Sequence, residues 1–371
     1  MSLSNLHRLR LAGVSPWSDQ ISRRMLDSGE LSRRIEEDAV TGVTSNPSIF
    51  AKAIVGTGDY DEEVRDMAAR GAATAEIIAQ LMASDIQRAC DALRGVYDST
   101  DGRDGFVSVE VTPTLAHDTE GTVAEAREWV KRIDRPNLLV KVPATIEGLP
   151  AIRRLIAEGI SINVTLIFSL ERYRQVMQAY LDGIEEYISQ GGDPSRVASV
   201  ASFFVSRMDT EVDRRLEEIG TDEALALRGE TAVANARLAY RAFLDTFTGE
   251  RWRKLVASGA RIQRPLWAST STKNPEYRDT LYVDELVAPH TVNTMPLETI
   301  DAYQDHGPEP VAFGPEEIAQ AEETIERMGA VGVDYDDVME VLEREGVEKF
   351  VDSWNELVAS VEEEVEKTSQ A

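Results

Sequence analysis

The sequence predicts an α/β fold, a (β/α)8 TIM barrel with additional C-terminal helices. Short apolar runs recur along the chain, and segments with a helical period of about 3.6 residues lie between them. Alternating strand and helix patterns indicate a parallel sheet, and about eight such units favour a closed barrel. The apolar runs lie at residues 13–19, 42–46, 106–111, 138–143, 161–168, 197–205, 265–268 and 291–295.

A doubly wound open sheet is the alternative architecture for the same alternation. No Gly-x-Gly-x-x-Gly follows the first apolar run, and no Walker-type loop occurs in the sequence. The sequence therefore lacks the motifs that usually mark dinucleotide-binding and ATP-binding sites. Residues that can begin a helix precede the helical patterns; for example, Ser169 can cap the pattern that runs from Tyr173 to Ile188.

The chain divides at a passage that contains proline and glycine, residues 306–315. We expect a catalytic barrel over residues 1–305 and a helical extension over residues 306–371 that packs on the barrel. The apolar positions of the extension include Phe350 and Leu357. They need a surface to cover, most simply the barrel exterior or its mouth.

Charge and hydropathy restrict the possible partners. The net charge is −27 and no basic stripe occurs, which argues against nucleic acid or an anionic membrane as a partner. No apolar stretch has the length of a membrane span, and residues 1–13 lack the apolar region of a signal peptide, so we expect a cytoplasmic protein. The single cysteine, Cys90, lies in a helical pattern and cannot form an internal disulfide. The sequence leaves the oligomeric state open.

The stretch with the clearest chemical signal is residues 137–145, in which Lys141 interrupts a buried strand pattern. Burial among apolar side chains disfavours the charged form of an amine, and a neutral amine attacks carbonyls to form Schiff bases. The alternative is a lysine at a strand end that reaches water or a carboxylate. Because Lys is scarce here and Arg is common, a Lys inside this strand favours the catalytic interpretation.

Polar residues also occur at the ends of the other predicted strands, where barrel enzymes place their chemistry. Individually they have structural explanations, since Asp19 or Asn46 could cap a helix and Arg207 could form a salt bridge. Together they would converge on one mouth of the barrel, and a buried polar cluster costs stability unless its members are paired. The candidates are Asp19, Asn46, Glu110, Lys141, Asn163, Thr165, Ser202, Arg207 and Lys273.

This set supports Schiff-base chemistry on a sugar phosphate. Lys141 would attack a ketone, Glu110 would transfer protons directly or through a water held by Thr165, and Asp19 would accept a hydroxyl proton during carbon–carbon cleavage.

Asn46 and Asn163 could hydrogen-bond the sugar hydroxyls, and Arg207 with Lys273 and the Ser202 hydroxyl could hold a phosphate. We expect no cofactor and no metal, because the imine itself polarises the substrate. The four histidines are also far apart in the sequence, at His7, His117, His290 and His306.

Six motifs occur in the order in which the transaldolases carry them, so the chain resembles that family over nearly its whole length. They are residues 15–23 (SPWSDQISR), 42–48 (GVTSNPS), 109–111 (VEV), 139–148 (LVKVPATIEG), 162–166 (INVTL) and 202–207 (SFFVSR). The resemblance implies a class I aldolase barrel in the non-oxidative pentose phosphate pathway. The implied reaction moves a dihydroxyacetone unit from sedoheptulose 7-phosphate to glyceraldehyde 3-phosphate, giving erythrose 4-phosphate and fructose 6-phosphate. The tail resembles that of the longer bacterial transaldolases.

The resemblance also implies roles for individual residues. Lys141 matches the Schiff-base lysine, Glu110 and Thr165 match the proton-transfer pair, and Asp19 matches the general acid and base. The implied substrate contacts are Asn46, Asn163, Ser202, Phe204 and Arg207. The sequence departs from many family members after the seventh strand, where they carry a second phosphate-binding Arg and this chain offers Lys273 in residues 267–274.

Two other functions are compatible with parts of this pattern. A fructose 6-phosphate aldolase of the same superfamily uses the same lysine but releases dihydroxyacetone to water; such aldolases tend to carry Gln at the position of Glu110 and Tyr at that of Phe204. A barrel that binds sugar phosphates without catalysis would need Lys141 or its proton partners replaced, and this chain retains them.

Overall fold

A computed structural model of the protein describes residues 3–54 and 56–369, and within them eight strands form one closed parallel barrel. The strands are β1 (Val14–Ser18), β2 (Gly42–Val43), β3 (Phe106–Glu110), β4 (Leu138–Pro143), β5 (Ile162–Ile167), β6 (Ser199–Phe204), β7 (Arg264–Ala268) and β8 (Thr291–Met295). They follow one another around the barrel in chain order, and β1 closes on β8. The (β/α)8 prediction is therefore confirmed, and the open sheet is excluded.

Helices surround the strands and continue beyond the last one. They are α1 (Asn5–Leu11), α2 (Arg23–Asp27), α3 (Glu30–Glu37), α4 (Pro47–Ile54), α5 (Asp61–Ala69), α6 (Thr74–Ser99), α7 (Thr119–Ile133), α8 (Gly148–Ala157), α9 (Leu170–Ser189), α10 (Ser206–Ile219), α11 (Asp222–Leu225), α12 (Thr231–Phe247), α13 (Glu250–Ala257), α14 (Leu281–Asp284), α15 (Leu297–His306), α16 (Pro315–Ala330) and α17 (Tyr335–Ser369). Ser169 caps α9 as predicted, because its hydroxyl accepts a hydrogen bond from the Arg172 amide.

The second strand is shorter than the sequence pattern indicated. The run at 42–46 contains only the two-residue β2, because the Asn46 side chain accepts a hydrogen bond from the Ile49 amide at 2.9 Å and starts α4. Helix capping and the proline at position 47 therefore end the strand early.

A buried polar cluster closes the amino-terminal end of the barrel. The Asp104 carboxylate accepts hydrogen bonds from the Ser15 hydroxyl and from the Trp17 indole, the latter at 2.7 Å. Arg264 donates to the Ser15 hydroxyl at 2.8 Å. Because these groups fill and satisfy the amino-terminal end, the carboxyl ends of the strands are left as the site for chemistry.

Helix α17 runs along one side of the carboxyl-terminal end of the barrel. Its buried apolar residues recur at helical spacing and include Val338, Leu342, Phe350 and Leu357. It contacts α4, α5, α6 and α10, as well as β5. The extension therefore packs at the edge of the barrel mouth as well as on the flanking helices.

Within the residues that the structure describes, no helix combines the length and the apolarity needed to cross a membrane.

A substitution at Gly42 tests how tightly the barrel packs. A Cβ there would overlap the Trp17 indole, which is buried and held by Asp104, so Gly42→Ala should lower the free energy of unfolding by about 1–3 kcal/mol. Gly95→Ala is the control, because a Cβ on this helical glycine meets no atom within 4 Å, and it should raise stability by roughly 0.5–1 kcal/mol. Urea denaturation measures both; equal effects would contradict the packing of Trp17 on Gly42.

Candidate active site

A cavity of about 650 Å³ opens at the carboxyl ends of the barrel strands. Its walls come from segments that follow β1, β2, β7 and β8, from the start of α10 and from α17. The lining includes Asp19, Asn46, Lys52, Arg207, Ser271, Lys273, Glu298 and Phe350. Side chains that are distant in the sequence therefore meet here, as the parallel barrel topology requires.

Lys141 and Glu110 form a buried ion pair on neighbouring strands. They lie side by side in the register of β3 and β4, and the Lys141 Nζ is 3.0 Å from a Glu110 carboxylate oxygen. Their residues are only 4% and 3% exposed, respectively. Burial raises the pKa of Glu110, while the positive charges of Lys141 and Arg207 oppose that rise.

The surroundings of Lys141 differ from the purely aliphatic pocket that the strand pattern indicated. Its Nζ also donates a hydrogen bond to the Ser45 carbonyl oxygen at 3.2 Å. The lysine thus has a carboxylate partner, as the structural alternative required, and is buried within β4, as the catalytic interpretation required. A buried acid and amine in direct contact can exchange a proton over one short distance.

Asn163 and Ser202 lie inside the barrel beside Lys141. Asn163 neighbours Lys141 in the register of β4 and β5. Its amide nitrogen donates to the Ser108 hydroxyl at 3.0 Å, and its oxygen accepts from the Ser202 hydroxyl at 2.7 Å. Ser202 is therefore bonded to Asn163, and it is absent from the described lining that contains Arg207 and Lys273. Lys141, Glu110, Asn163, Thr165 and Phe204 are likewise absent from that lining, so the phosphate contact expected of Ser202 stays a prediction.

Thr165 is fully buried, and its hydroxyl has no hydrogen-bond partner among the described residues. The register between β5 and β6 shifts after Val164, and Leu166 adopts a φ of 57°. A non-glycine residue in the left-handed region is strained, and such irregularities re-aim side chains next to functional sites. An unpaired hydroxyl at this bend is suited to hold a water.

Asp19 follows β1 and faces three lysines. Desolvation raises the pKa of its carboxyl group to about 6, against the lowering effect of Lys273 and of Lys141, while Glu298 adds to the rise. The Asp19 carboxyl group therefore gains and loses its proton at a pH close to neutral. A carboxyl group in that state is a better proton carrier than an ordinary aspartate.

Arg207 and Lys273 supply positive charge at the cavity wall. Desolvation lowers the pKa of Arg207, against the effect of Glu110, and one buried guanidinium nitrogen has no hydrogen-bond partner in the described part of the chain. The Phe204 ring lies 5.1 Å from the Arg207 guanidinium carbon. Desolvation also lowers the pKa of Lys273, against the effect of Asp19, and its amine bonds the Ser271 hydroxyl at 2.5 Å.

Asn46 has both of the roles that the sequence allowed. Its oxygen caps α4, yet the residue also lines the cavity. The amide group of a capping asparagine retains two N–H donors, which remain suited to a ligand hydroxyl.

Sequence reasoning missed several residues of the cavity, among them Lys52 on α4, Glu298 on α15 and Phe350 on α17. Lys52 lies six positions after Asn46, so helical geometry alone could have brought it near the mouth. For Phe350 the sequence predicted only a buried face on the barrel exterior or at its mouth, and not a place in the cavity, because its helix is remote in sequence from every strand.

The described residues contain no group of three or more His, Cys, Asp or Glu side chains that could hold a metal.

Comparison with known proteins assigns the family. The family model described as Transaldolase/Fructose-6-phosphate aldolase matches residues 16–361. The chain belongs to this family. A relative named Transaldolase from Acidothermus cellulolyticus is 56% identical over 365 residues, which cover 98% of this chain and 97% of the relative.

Further relatives with the same name support this membership. One from Thermobifida fusca is 56% identical over 364 residues, with 98% of each chain covered. One from Saccharopolyspora erythraea is 54% identical over 364 residues, again with 98% of each chain covered. The family assignment therefore extends over the barrel and the C-terminal extension alike.

The shifted titration of Asp19 can be measured directly. We expect ¹³C NMR of labelled carboxyl groups to show Asp19, identified by its loss in Asp19→Asn, titrating with a pKa of about 6. Lys273→Met should move this pKa upward, because it removes a positive charge that favours the carboxylate.

Asp209 provides an internal control for this experiment. Burial also raises the pKa of Asp209 to about 6, but its partners are Ala232, Tyr282 and Thr231 rather than a lysine. The pKa of Asp209 should therefore be the same in Lys273→Met as in the unaltered protein. If Lys273→Met shifted the pKa of both aspartates equally, or left the pKa of Asp19 unchanged, the electrostatic coupling of Asp19 to Lys273 would be contradicted.

Proposed function

We propose that this protein is a transaldolase that transfers a dihydroxyacetone unit from sedoheptulose 7-phosphate to glyceraldehyde 3-phosphate through a Schiff base on Lys141, giving erythrose 4-phosphate and fructose 6-phosphate. The observation that carries the proposal is the buried Lys141–Glu110 pair, whose Nζ–oxygen distance is 3.0 Å, beside a cavity that Asp19 lines. Family membership and the name of the full-length relatives support the same reaction. The activity belongs to the non-oxidative pentose phosphate pathway.

Covalent attachment would begin at the amine of Lys141. Transfer of its proton to Glu110 leaves a neutral amine, which adds to the C2 carbonyl of the ketose. Glu110, whose pKa burial raises, then returns a proton to the departing hydroxyl, and water leaves as the iminium forms. The unpaired hydroxyl of Thr165 would hold the water that relays this proton.

Cleavage would require a base on the far side of the scissile bond. Asp19 takes the proton of the C4 hydroxyl, the bond between C3 and C4 breaks, and its electrons pass into the enamine on Lys141 as the aldehyde leaves. Attack of the enamine on the second aldehyde and return of the Asp19 proton form the new bond. Addition of water to the resulting iminium then releases the ketose.

Side chains around Lys141 would orient the donor. Asn163, held by Ser108 and Ser202, is rigid enough to fix a dihydroxyacetone hydroxyl. The amide N–H groups of Asn46, which lines the cavity, would bind a hydroxyl there. Phe204 would fill the space beside the Arg207 guanidinium.

The phosphate would bind at the cations of the cavity wall. Arg207 offers a guanidinium nitrogen that lacks a partner among the described residues, and Lys273 and Lys52 lie in the same lining. Guanidinium and ammonium groups form the charge-assisted bonds that phosphates accept. Lys273 thus takes the place of the second arginine of many relatives, as a point charge rather than a fork.

A fructose 6-phosphate aldolase activity is the second candidate, because the family description names both activities. The two differ in the fate of the enamine, which reacts with an aldehyde in transfer and is protonated and hydrolysed in release. Glu110 and Phe204, where the aldolases tend to carry Gln and Tyr, favour transfer. Abundant free dihydroxyacetone in the presence of an acceptor aldehyde would favour the aldolase.

Trapping the covalent intermediate tests the proposal. Borohydride added with fructose 6-phosphate should reduce the imine to a stable adduct, and peptide mass spectrometry should place it on Lys141. Adducts on Lys52 or Lys273, the lysines that line the described cavity, would contradict the assignment. Lys141→Met should abolish the adduct, whereas Lys131→Met, which alters an exposed lysine on α7, should leave it unchanged.

Lys273 offers a test of the phosphate site. Lys273→Ala should raise the KM for glyceraldehyde 3-phosphate by about tenfold or more, since a hydrogen bond to a charged group contributes roughly 1.5–3 kcal/mol. Lys273→Arg should retain most of the affinity. The KM for unphosphorylated glyceraldehyde should stay near that of the unaltered enzyme, and an equal rise for both acceptors would argue against a phosphate contact.

A further inference from the structure

The C-terminal extension contributes an aromatic ring to the active site. Phe350 of α17 is 2% exposed and lines the cavity. Its ring centre lies 5.5 Å from the Lys141 Nζ and 5.8 Å from the Arg207 guanidinium carbon. An aromatic face within about 6 Å attracts a cation, so the ring lies next to the reacting amine and to a cation of the cavity wall.

Local sequence on α17 allows this approach. Gly346 lies one turn before Phe350, and residues four apart share a helix face. A Cβ on Gly346 would come within 3.2 Å of a Leu166 methyl and 3.3 Å of the Phe168 ring. The glycine therefore lets the helix backbone approach the end of β5, and the next turn brings Phe350 over the amine.

Polar contacts hold the helix on different parts of the barrel rim. The Ser353 hydroxyl forms a hydrogen bond with the hydroxyl of Ser48 on α4, and the two oxygens are 2.6 Å apart. In the first turn of the helix, Asp337 pairs with Arg215 of α10 at 2.5 Å. With contacts on both sides of Phe350, the ring is kept in place over Lys141 rather than hanging free at the mouth.

The position of the ring bears on the competition between two fates of the intermediate. Protonation of the enamine at C3 gives an iminium, and water that adds to its C2 forms a carbinolamine. This intermediate breaks into free dihydroxyacetone and the regenerated lysine. Transfer instead needs the aldehyde to reach C3 first. Both fates end with water adding to C2 of an iminium, so the choice is made at the enamine, where C3 either takes a proton from water or attacks the aldehyde. An apolar ring beside the enamine nitrogen removes room for that water, while the cavity side stays open to the aldehyde.

We propose that Phe350 is a specificity-determining residue of the reaction: its ring limits the water that can protonate the Lys141 enamine and thereby favours transfer of the dihydroxyacetone unit over its release. This inference rests on the proposed Schiff-base function and adds to it a role for the C-terminal extension. The extension is then part of the active site, and the barrel alone lacks one of its walls.

The test compares the partition of the intermediate in variants of the full-length protein. With fructose 6-phosphate as donor and erythrose 4-phosphate as acceptor, the measured quantity is the ratio of free dihydroxyacetone to sedoheptulose 7-phosphate. Phe350→Ala should raise this ratio at least tenfold, with Phe350→Leu between Ala and the unaltered enzyme. Phe350→Met, which keeps most of the apolar volume, should stay close to the unaltered ratio, so the series remains informative if the alanine variant folds poorly.

Leu357→Ala is the matched control for general loosening of the helix. Leu357 is fully buried on the same helix, and it is not among the residues that line the described cavity. This variant should lose stability but keep the partition ratio of the unaltered enzyme. An equal rise in the ratio for Leu357→Ala, or an unchanged ratio for Phe350→Ala, would overturn the proposed role of the ring.

Borohydride trapping separates this inference from the function on which it rests. All Phe350 variants that fold should still form the adduct on Lys141, because the nucleophile and Glu110 are intact. Absence of the adduct in the unaltered protein would contradict the Schiff-base function itself. A normal adduct with a partition ratio that does not respond to Phe350 would contradict only the shielding role.

Discussion

The candidate active site depends on one interaction, the buried pair of Lys141 and Glu110. Desolvating two opposite charges costs free energy that their mutual attraction does not reliably offset, so such a pair is weak support for stability. Removing either partner would leave the other charge buried and unpaired. The pair is therefore best explained by chemistry, and the parallel register of β3 and β4 places the two side chains next to each other.

The electrostatics of the molecule differ between its surface and its mouth. The chain carries a net charge of −27, yet Arg207, Lys273 and Lys52 gather on one cavity. Screening at cellular ionic strength limits exposed charges to a range of about 8 Å, so the local cations decide what binds. Lys273 and Lys52, together with Lys141, also act on Asp19 and hold its pKa below the value that desolvation alone would produce.

Two predicted site residues also have partners within the fold. Ser202 was expected at the phosphate, but its hydroxyl bonds Asn163 inside the barrel. Asn46 lines the cavity while it also caps α4. Sequence position identified both as polar residues at strand ends, but it could not show where their side chains point, because a short hydroxyl or amide can turn to either of two partners.

The sequence by itself determined the barrel and most of the polar residues at its mouth, because strand and helix periods are local and parallel strands align their carboxyl ends. Only the tertiary structure decided that Glu110 touches Lys141, that Leu166 bends the end of β5, and that Phe350 reaches the amine. The contact with Phe350 joins residues more than two hundred positions apart. Its existence depends on how α17 packs against the rim, which no local pattern encodes.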